Sequence, residues 1–304
     1  MNRRDFLKAA AGGAVAVSAL GFSASGRTAA VAEQEEKAMT KDSQPELQKA
    51  IILSMLPDSL NIEDRFKLAR DCGFQGLEVH PESDPEKIRE MRAAAEKTGV
   101  RIHSIIHGGW GNPLSSPDPK VAEEGAAQLV AALKIGKELG ADNVLLVPAV
   151  VNADTRYADA YERSQKHLRK IIPTAEKLKV KILVENVWNN FLLSPIESAR
   201  YVDEFKSPWL QAYFDVGNVV AFGWPEDWIL TLGHRIGKIH LKDFKRGPRQ
   251  WVNLRDGDVD WPKVRKALHD VGYKGFVTAE LGGGDEAYLR DLSSRMDAII
   301  NEKL

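Results

Sequence analysis

The segments Lys181–Glu185 (KILVE) and Gln211–Val216 (QAYFDV) are short apolar runs, and each carries a carboxylate at or near its end. A helix-length interval separates them. Outward from this pair, the same unit recurs: a β-rich apolar run, a polar turn and an amphipathic stretch. The eight predicted strands are Ile51–Leu56, Gly76–His80, Arg101–His107, Asn143–Pro148, Lys181–Glu185, Gln211–Val216, Gly237–Leu241 and Gly275–Leu281.

The intervals between the predicted strands have helical periodicity, and several end in glycine, which commonly terminates a helix. The predicted helices include Ile62–Cys72, Pro85–Thr98, Val121–Leu139, Tyr157–Leu178 and Pro262–Val271. Apolar strands that alternate with helices imply a parallel sheet covered by helices. Eight units over about 250 residues predict an α/β fold, a single-domain (β/α)8 TIM barrel. An open doubly wound sheet is the alternative, but no Gly-rich phosphate-binding turn follows the first strand.

The last four predicted strands have, at or near their carboxyl ends, residues of the types that commonly bind metals. These are Glu185, Asp215, His240 and Glu280, and the carboxyl ends of barrel strands are where catalytic residues lie. Any one of them alone is more simply explained as an ion-paired or helix-capping residue. Three carboxylates converging without a cation would repel one another, and their pKa values would rise. Together with one imidazole they suit a single Mn²⁺, Mg²⁺, Zn²⁺ or Co²⁺ ion.

Four strings of sequence carry a resemblance to a known family: Val184–Asn186 (VEN), Tyr213–Asn218 (YFDVGN), Ile239–Asp243 (IHLKD) and Gly257–Trp261 (GDVDW). They resemble the xylose isomerase-like TIM-barrel superfamily, and within it the sugar phosphate isomerase/epimerase branch. That branch includes L-xylulose 5-phosphate 3-epimerase and the D-tagatose 3-epimerases. The resemblance covers the whole chain after the predicted linker.

The resemblance implies roles for the four strand-end residues. Glu185, Asp215, His240 and Glu280 would bind one divalent metal, and Glu185 and Glu280 would also be the catalytic residues that exchange protons with a small carbohydrate. Epimerisation beside a carbonyl removes a proton from carbon and returns it, with an enediolate between. A metal stabilises this negative charge as a Lewis acid. One carboxylate would take the proton from one face, and the other would deliver one to the opposite face.

Side chains expected to contact the sugar are His107, Trp188, Asn218, Lys242 and Arg246. Arg246 matches an arginine that contacts sugar hydroxyls in the family, and Trp188 would form part of an aromatic wall. Structural alternatives stay open: His107 as a rim residue, Trp188 as a plug of the mouth and Arg246 as a solvated charge. These residues do not determine which sugar is the substrate or whether it is phosphorylated. They also do not determine whether the protein forms a homo-oligomer.

Three positions depart from the ketohexose 3-epimerase pattern. A family histidine is replaced by Asn218, a substrate-binding glutamate by Phe191, and a frequent glycine by Arg255. These departures argue against a free-ketohexose epimerase. A lyase or hydratase acting on oxidised sugars or glycosides is the first alternative, because it would use the same proton abstraction. A non-catalytic sugar-binding protein is another.

A nuclease of the endonuclease IV type is also considered, because His80 and His107 resemble two of its metal ligands. Charge argues against it, since binding to nucleic acid favours a basic surface. The formal net charge is −1, and removal of residues 1–32, with four basic and one acidic side chain, would leave it near −4. No nucleic-acid partner is therefore expected.

The first residues resemble an export signal. Arg3 and Arg4 precede a mild apolar run, 9–22, and Ala30-Val31-Ala32 is a small-residue cleavage site, as in twin-arginine signal peptides. The predicted division is therefore a signal peptide at 1–32, a linker at 33–49 and the barrel at 50–304. We expect the twin-arginine export machinery as a partner and a periplasmic or extracytoplasmic location. An uncleaved membrane anchor is the alternative.

Replacement of both Arg3 and Arg4 by lysine should leave the protein in the cytoplasm, because the export machinery recognises the arginine pair. Fractionation and immunoblotting would measure this, with Lys8→Arg as the control that keeps the pair intact. Unchanged export of the double variant would indicate another route.

Overall fold

The computed structural model describes residues 47–301, in which eight parallel strands form a closed barrel. The barrel strands are arranged in chain order, and the last pairs with the first. They are β1 Leu47–Ile52, β2 Gly76–Val79, β3 Arg101–Gly108, β4 Asn143–Leu146, β5 Lys181–Glu185, β6 Leu210–Asp215, β7 Ile236–Leu241 and β10 Gly275–Ala279. The predicted barrel is confirmed. The predicted signal segment 1–32 and most of the linker 33–49 lie outside the described residues.

Helices occupy the intervals between the barrel strands. They are α1 Ile62–Asp71, α2 Pro85–Thr98, α3 Pro119–Leu139, α4 Tyr157–Leu178, α5 Pro195–Asp203, α6 Val216–Val220, α7 Pro225–Leu232, α8 Trp261–Asp270 and α9 Glu286–Asn301. A hairpin of β8 Asp243–Lys245 and β9 Gln250–Val252 follows β7, and 3₁₀ turns lie at Leu53–Met55 and Gly233–Arg235. Within residues 47–301, no helix is long and apolar enough to span a membrane.

Local signals set many of the helix ends. The side chains of Asp84 and Asp118 accept hydrogen bonds from N–H groups in the first turns of α2 and α3, and a proline follows each cap. Such caps satisfy N–H groups that have no partner within the helix. Gly99 and Gly140 end the same two helices in the left-handed conformation, with φ of 75° and 76°. These signals explain why Pro85–Thr98 was predicted with its observed bounds.

The start of the barrel differs from the prediction. β1 begins at Leu47 rather than Ile51, so 47–49 belong to the barrel and not to the linker. Lys49 was assigned to the linker because it is charged, but in the structure it lies in β1 and is only 7% exposed. Its Nζ donates to Ser293 Oγ at 2.7 Å and pairs with Asp297 Oδ1 at 2.7 Å, both on α9. A lysine buried against the last helix cannot be recognised from local sequence.

The predicted helices named above do not include α5, α6, α7 or α9, and the β8–β9 hairpin was not predicted. Two of these helices are short, with 5 residues in α6 and 8 in α7, and short helices carry little periodicity. The main apolar core lies between the strands and the surrounding helices, where Phe66, Leu129 and Leu168 are fully buried. Buried polar side chains on the barrel strands include Glu78, His240 and Thr278.

Asp243 holds together the long loop that follows β7. Its fully buried carboxylate accepts backbone hydrogen bonds from Phe244, Arg255, Gly257 and Val259 and one from the Trp261 indole, at 2.9 to 3.3 Å. A Cβ at Gly257 would overlap this carboxylate. Arg255 has a positive φ of 72°, which explains why glycine is favoured there. The IHLKD and GDVDW strings thus include residues that shape this loop.

Asp243→Ala should lower the free energy of unfolding by about 3 kcal/mol, because several buried donors would lose a charged acceptor. Urea titration followed by circular dichroism measures this change. The matched control is Asp258→Ala, in the same loop, where an exposed carboxylate accepts one hydrogen bond from Arg246 N. Equal stability of the two variants would contradict the proposed role of Asp243.

Candidate metal centre

The barrel brings the four predicted metal ligands together at its carboxyl end. Glu185 ends β5, Asp215 ends β6, His240 lies in β7, and Glu280 directly follows β10. One ligand atom from each lies within 4.8 Å of those of the other three. Asp215 and His240 are paired across β6 and β7, so the strand register itself sets their proximity. We call these residues the four-residue cluster.

His240 points one ring nitrogen at the rest of the cluster. Its Nδ1 lies 2.7 Å from Glu280 Oε2, 3.0 Å from Glu185 Oε1 and 3.9 Å from Asp215 Oδ2. The other nitrogen, Nε2, lies 3.1 Å from Glu78 Oε2, on the interior side of the barrel. The imidazole therefore connects the cluster to a fourth carboxylate in the barrel interior.

Two buried oxygens of the cluster, Asp215 Oδ2 and Glu280 Oε2, make no hydrogen bond of acceptable geometry. Their contacts are with cationic groups: Lys242 Nζ lies 3.2 Å from the first and 2.8 Å from the second, and His240 Nδ1 lies 2.7 Å from the second. Buried polar atoms are rarely left unsatisfied in folded proteins. Oxygens of this kind, beside an imidazole nitrogen, are suited to a divalent cation. The residues present therefore fit the implied metal.

The electrostatics of the cluster reflect crowding of like charges. Burial, with the neighbouring charge of Glu280, raises the pKa of Glu185 to about 7, and burial also raises the pKa of Asp215. Burial opposes ionisation of Glu280 as well, but His240 and Lys242 outweigh it and lower its pKa. Burial lowers the pKa of His240, but the surrounding carboxylates outweigh it and hold that pKa well above its usual range. His240 and Lys242 therefore partly compensate the charge of these carboxylates.

Backbone contacts fix the strand-six end of the cluster. Asn186 Oδ1 accepts from Asp215 N at 2.8 Å, and Asn218 N donates to Asp215 Oδ1 at 2.7 Å. A Cβ at Gly217 would lie 2.9 Å from the backbone carbonyl of Lys242, so the close approach of these two strand ends requires glycine. The YFDVGN string therefore positions Asp215 as well as supplying it.

The predicted substrate contacts are distributed around the mouth. Lys242 reaches the cluster, as described above. Asn218 is buried, and its Nδ2 donates to Asn186 O at 2.9 Å, so this amide supports the loop. Arg246 lies over the Trp224 ring at 5.0 Å and donates to Gly223 O. His107 is half-buried at the end of β3, outside the four-residue cluster. Their contacts with a sugar stay predictions.

Trp188 forms an exposed aromatic surface with a residue that sequence analysis missed. It stacks on Trp251 of the hairpin with ring centroids 5.1 Å apart, and both rings contact Phe244 edge-on. Trp188 and Trp251 remain 45% and 41% exposed. Lys242 Nζ lies 5.6 Å from the Trp251 centroid, so this pair is one side chain away from the cluster. Trp251 lies in an otherwise polar stretch of sequence, and this could have identified it as a candidate site residue.

Phe191 accounts for one departure from the ketohexose 3-epimerase pattern, and His80 bears on the nuclease alternative. Phe191, where a glutamate was expected, is 1% exposed and packs against Tyr157, Tyr161 and Tyr201. It belongs to the core and not to the mouth. His80 is exposed and bonds Ile106 O through Nδ1. Among the described residues, neither His80 nor His107 belongs to a group of three or more metal-binding side chains, which gives no support to the nuclease alternative.

Glu78 was not predicted as a site residue. It lies in β2 and is fully buried. Although burial raises its pKa, the charge of His240 and the hydrogen bonds it accepts dominate and lower that pKa to about 2. The signal was present: a glutamate in the middle of a buried apolar strand is unusual unless it is paired.

The chain is similar to known proteins both in sequence and in structure. The L-ribulose-5-phosphate 3-epimerase UlaE of Shigella boydii serotype 18 is 27% identical over 236 residues, which cover 72% of this chain and 81% of the relative. The structure of the 3-keto-D-glucoside 4-epimerase YcjR from E. coli superimposes with a TM-score of 0.72 at 15% identity, covering 84% of this chain and 99% of that one.

The zinc-bound IOLI protein superimposes with a TM-score of 0.73 at 16% identity, covering 83% of this chain and 98% of that one. At such identities these structures support the fold alone. The family model described as xylose isomerase-like TIM barrel matches residues 66–298. Because this match spans most of the chain and agrees with the observed barrel, the protein belongs to the xylose isomerase-like TIM barrel family.

Proposed function

We propose that the protein is a divalent-metal-dependent sugar epimerase or isomerase that acts by removing a proton beside a carbonyl group. The observation that carries the proposal is the four-residue cluster, in which Asp215 Oδ2 and Glu280 Oε2 are buried and make no hydrogen bond of acceptable geometry. The curated relative UlaE is named as a sugar phosphate epimerase, which supports an isomerase-type activity.

The metal would be held by Glu185, Asp215, His240 and Glu280. When bound, a divalent ion supplies Lewis-acid stabilisation of negative charge that develops on substrate oxygens. Mn²⁺, Mg²⁺, Zn²⁺ and Co²⁺ all accept such a mixture of oxygen and nitrogen donors. Lys242, beside both Asp215 and Glu280, would offer a further positive charge to the same oxygens.

Glu185 and Glu280 would move the protons. One, as a carboxylate, takes the proton from the carbon beside the carbonyl, and the C–H electron pair passes into the enediolate. The other, as a carboxylic acid, returns a proton to the opposite face of the same carbon. Solvent then resets the two protonation states. Glu185 ends β5 and Glu280 follows β10, and these two strands are separated around the barrel by β6 and β7, which suits proton transfer on two faces of the substrate.

A second candidate is an elimination or hydration of an oxidised sugar or glycoside. The stacked Trp188–Trp251 pair favours a glycoside as the substrate, because an exposed aromatic surface beyond the cluster would accommodate a second ring that a free ketose lacks. An elimination needs only one base, since the electron pair expels a group from the adjacent carbon. A non-catalytic sugar-binding protein would exchange no substrate proton.

The proposed location outside the cytoplasm rests on the arginine pair and the apolar run at the start of the chain. Sugar phosphates are mainly cytoplasmic compounds, so export would favour free sugars or glycosides as substrates. A substrate panel that includes both kinds is therefore needed.

The purified protein should contain one divalent ion per chain, and Asp215→Ala should lose it, because the variant removes an anionic ligand from a buried site. Elemental analysis by mass spectrometry measures the content. Asp203→Ala is the control, since this exposed carboxylate pairs with Arg235 away from the cluster. Equal metal content in Asp215→Ala and the wild type would contradict the assignment.

Glu185→Gln and Glu280→Gln should each lower kcat by about 10²–10⁴-fold, because a glutamine keeps an oxygen donor but cannot act as a base. Metal content should fall far less than turnover. The measurement is NMR in deuterated water with metal-loaded protein and a panel of ketoses, ketose phosphates and 3-keto-glycosides.

Solvent exchange and product formation must be followed separately in both variants. In an epimerase, one variant keeps deuterium exchange at the carbon beside the carbonyl while product formation stops in both. Loss of a substituent from the substrate would instead identify the elimination. Turnover close to the wild-type value in either variant would refute the two-carboxylate mechanism.

A further inference from the structure

A buried polar layer lies in the barrel interior beneath the four-residue cluster. It consists of Glu78 from β2, Tyr213 from β6, Thr278 from β10 and the Nε2 side of His240 from β7. Glu78, Tyr213 and Thr278 are 0% exposed. An ionised carboxylate at this depth is costly unless donors surround it, so its contacts must account for its presence.

Polar side chains on other strands contact both carboxylate oxygens of Glu78. Its Oε1 accepts hydrogen bonds from the Tyr213 hydroxyl and from Thr278 Oγ1, the latter at 2.6 Å. Its Oε2 lies 3.1 Å from His240 Nε2. Since a carboxylate only accepts, the His240 contact is a hydrogen bond only when Nε2 carries the hydrogen. The other nitrogen, Nδ1, is the one that faces Glu185 and Glu280.

We propose that Glu78 is a positioning residue that keeps the hydrogen of His240 on Nε2, so that Nδ1 presents its lone pair to a divalent ion. The inference rests on the proposed metal site. A metal-binding histidine needs one nitrogen free of hydrogen, and a carboxylate on the other nitrogen fixes both the tautomer and the ring orientation.

Tyr213 and Thr278 act on Glu78 in turn. Both hold Oε1, and the Tyr213 ring also packs at 4.3 Å from the His240 ring centroid. The carboxylate therefore cannot rotate away from His240 without losing two hydrogen bonds. The histidine is oriented from below by three barrel strands, independently of the loops that cover the mouth.

The test uses Glu78→Gln with Zn²⁺ as the probe, measured by competition with a chromogenic chelator. A glutamine offers one oxygen where glutamate offers two, so either His240 or the hydroxyl pair loses its acceptor. Zn²⁺ affinity should fall by about 10–100-fold. Tyr201→Phe is the matched control: it removes one fully buried hydroxyl, which contacts Ser164 Oγ on α4 and not Glu78, and should leave Zn²⁺ affinity within about twofold of the wild-type value.

Thermal unfolding of both variants without metal separates this role from a structural one. A residue that only stabilises the barrel would lower the Tm while the folded variant kept wild-type Zn²⁺ affinity. Wild-type affinity in folded Glu78→Gln would overturn the inference and leave the metal site standing. Failure of the wild-type protein to bind Zn²⁺ would overturn both.

A second measurement needs no variant. With ¹⁵N-labelled histidine in the Zn²⁺-loaded wild-type protein, one of the seven histidines should show Nδ1 shifted by the metal and a hydrogen on Nε2. This result is expected even if Glu78→Gln does not fold. A metal-shifted Nε2 with the hydrogen on Nδ1 would overturn the inference.

Discussion

Three carboxylates and one imidazole lie with their ligand atoms within 4.8 Å of one another at the carboxyl end of the barrel, and like charges at this distance repel strongly in a buried setting. Much of the surrounding structure opposes that repulsion. Lys242 bridges Asp215 and Glu280, and His240 contacts carboxylates through both ring nitrogens. The geometry is one that a divalent cation would stabilise further.

The barrel topology by itself brings these four residues together. Parallel strands in chain order deliver their carboxyl ends to one rim, so residues far apart in sequence need only occupy equivalent strand positions. The loops that follow the strands add further residues around the cluster. Asp243 folds the segment after β7 around its carboxylate, and that segment presents Trp251 against Trp188. Stability of this loop and composition of the mouth are therefore linked through one buried side chain.

The chain is similar in sequence to a relative named as an L-ribulose-5-phosphate 3-epimerase, and in fold to a protein named as a 3-keto-D-glucoside 4-epimerase. In this chain the residues around the cluster have separate structural roles. Phe191 belongs to the core, Asn218 supports a loop through Asn186, and the stacked tryptophans extend the mouth outward. Under the proposed function, the cluster would carry the proton transfer and the loop residues would contact the substrate.

The sequence by itself determined the alternation of strands and helices and the residues at the strand ends, because apolar periodicity, helix caps and glycines are local signals. From the barrel rule, it also predicted that Glu185, Asp215, His240 and Glu280 converge. Only the tertiary structure decided the roles of Lys49, Glu78 and Trp251. Their partners are supplied by distant segments: α9 for Lys49, β6, β7 and β10 for Glu78, and the loop after β5 for Trp251. A buried charge or a stacked ring is stabilised by contacts that exist only after folding, so its position along the chain does not reveal its partner.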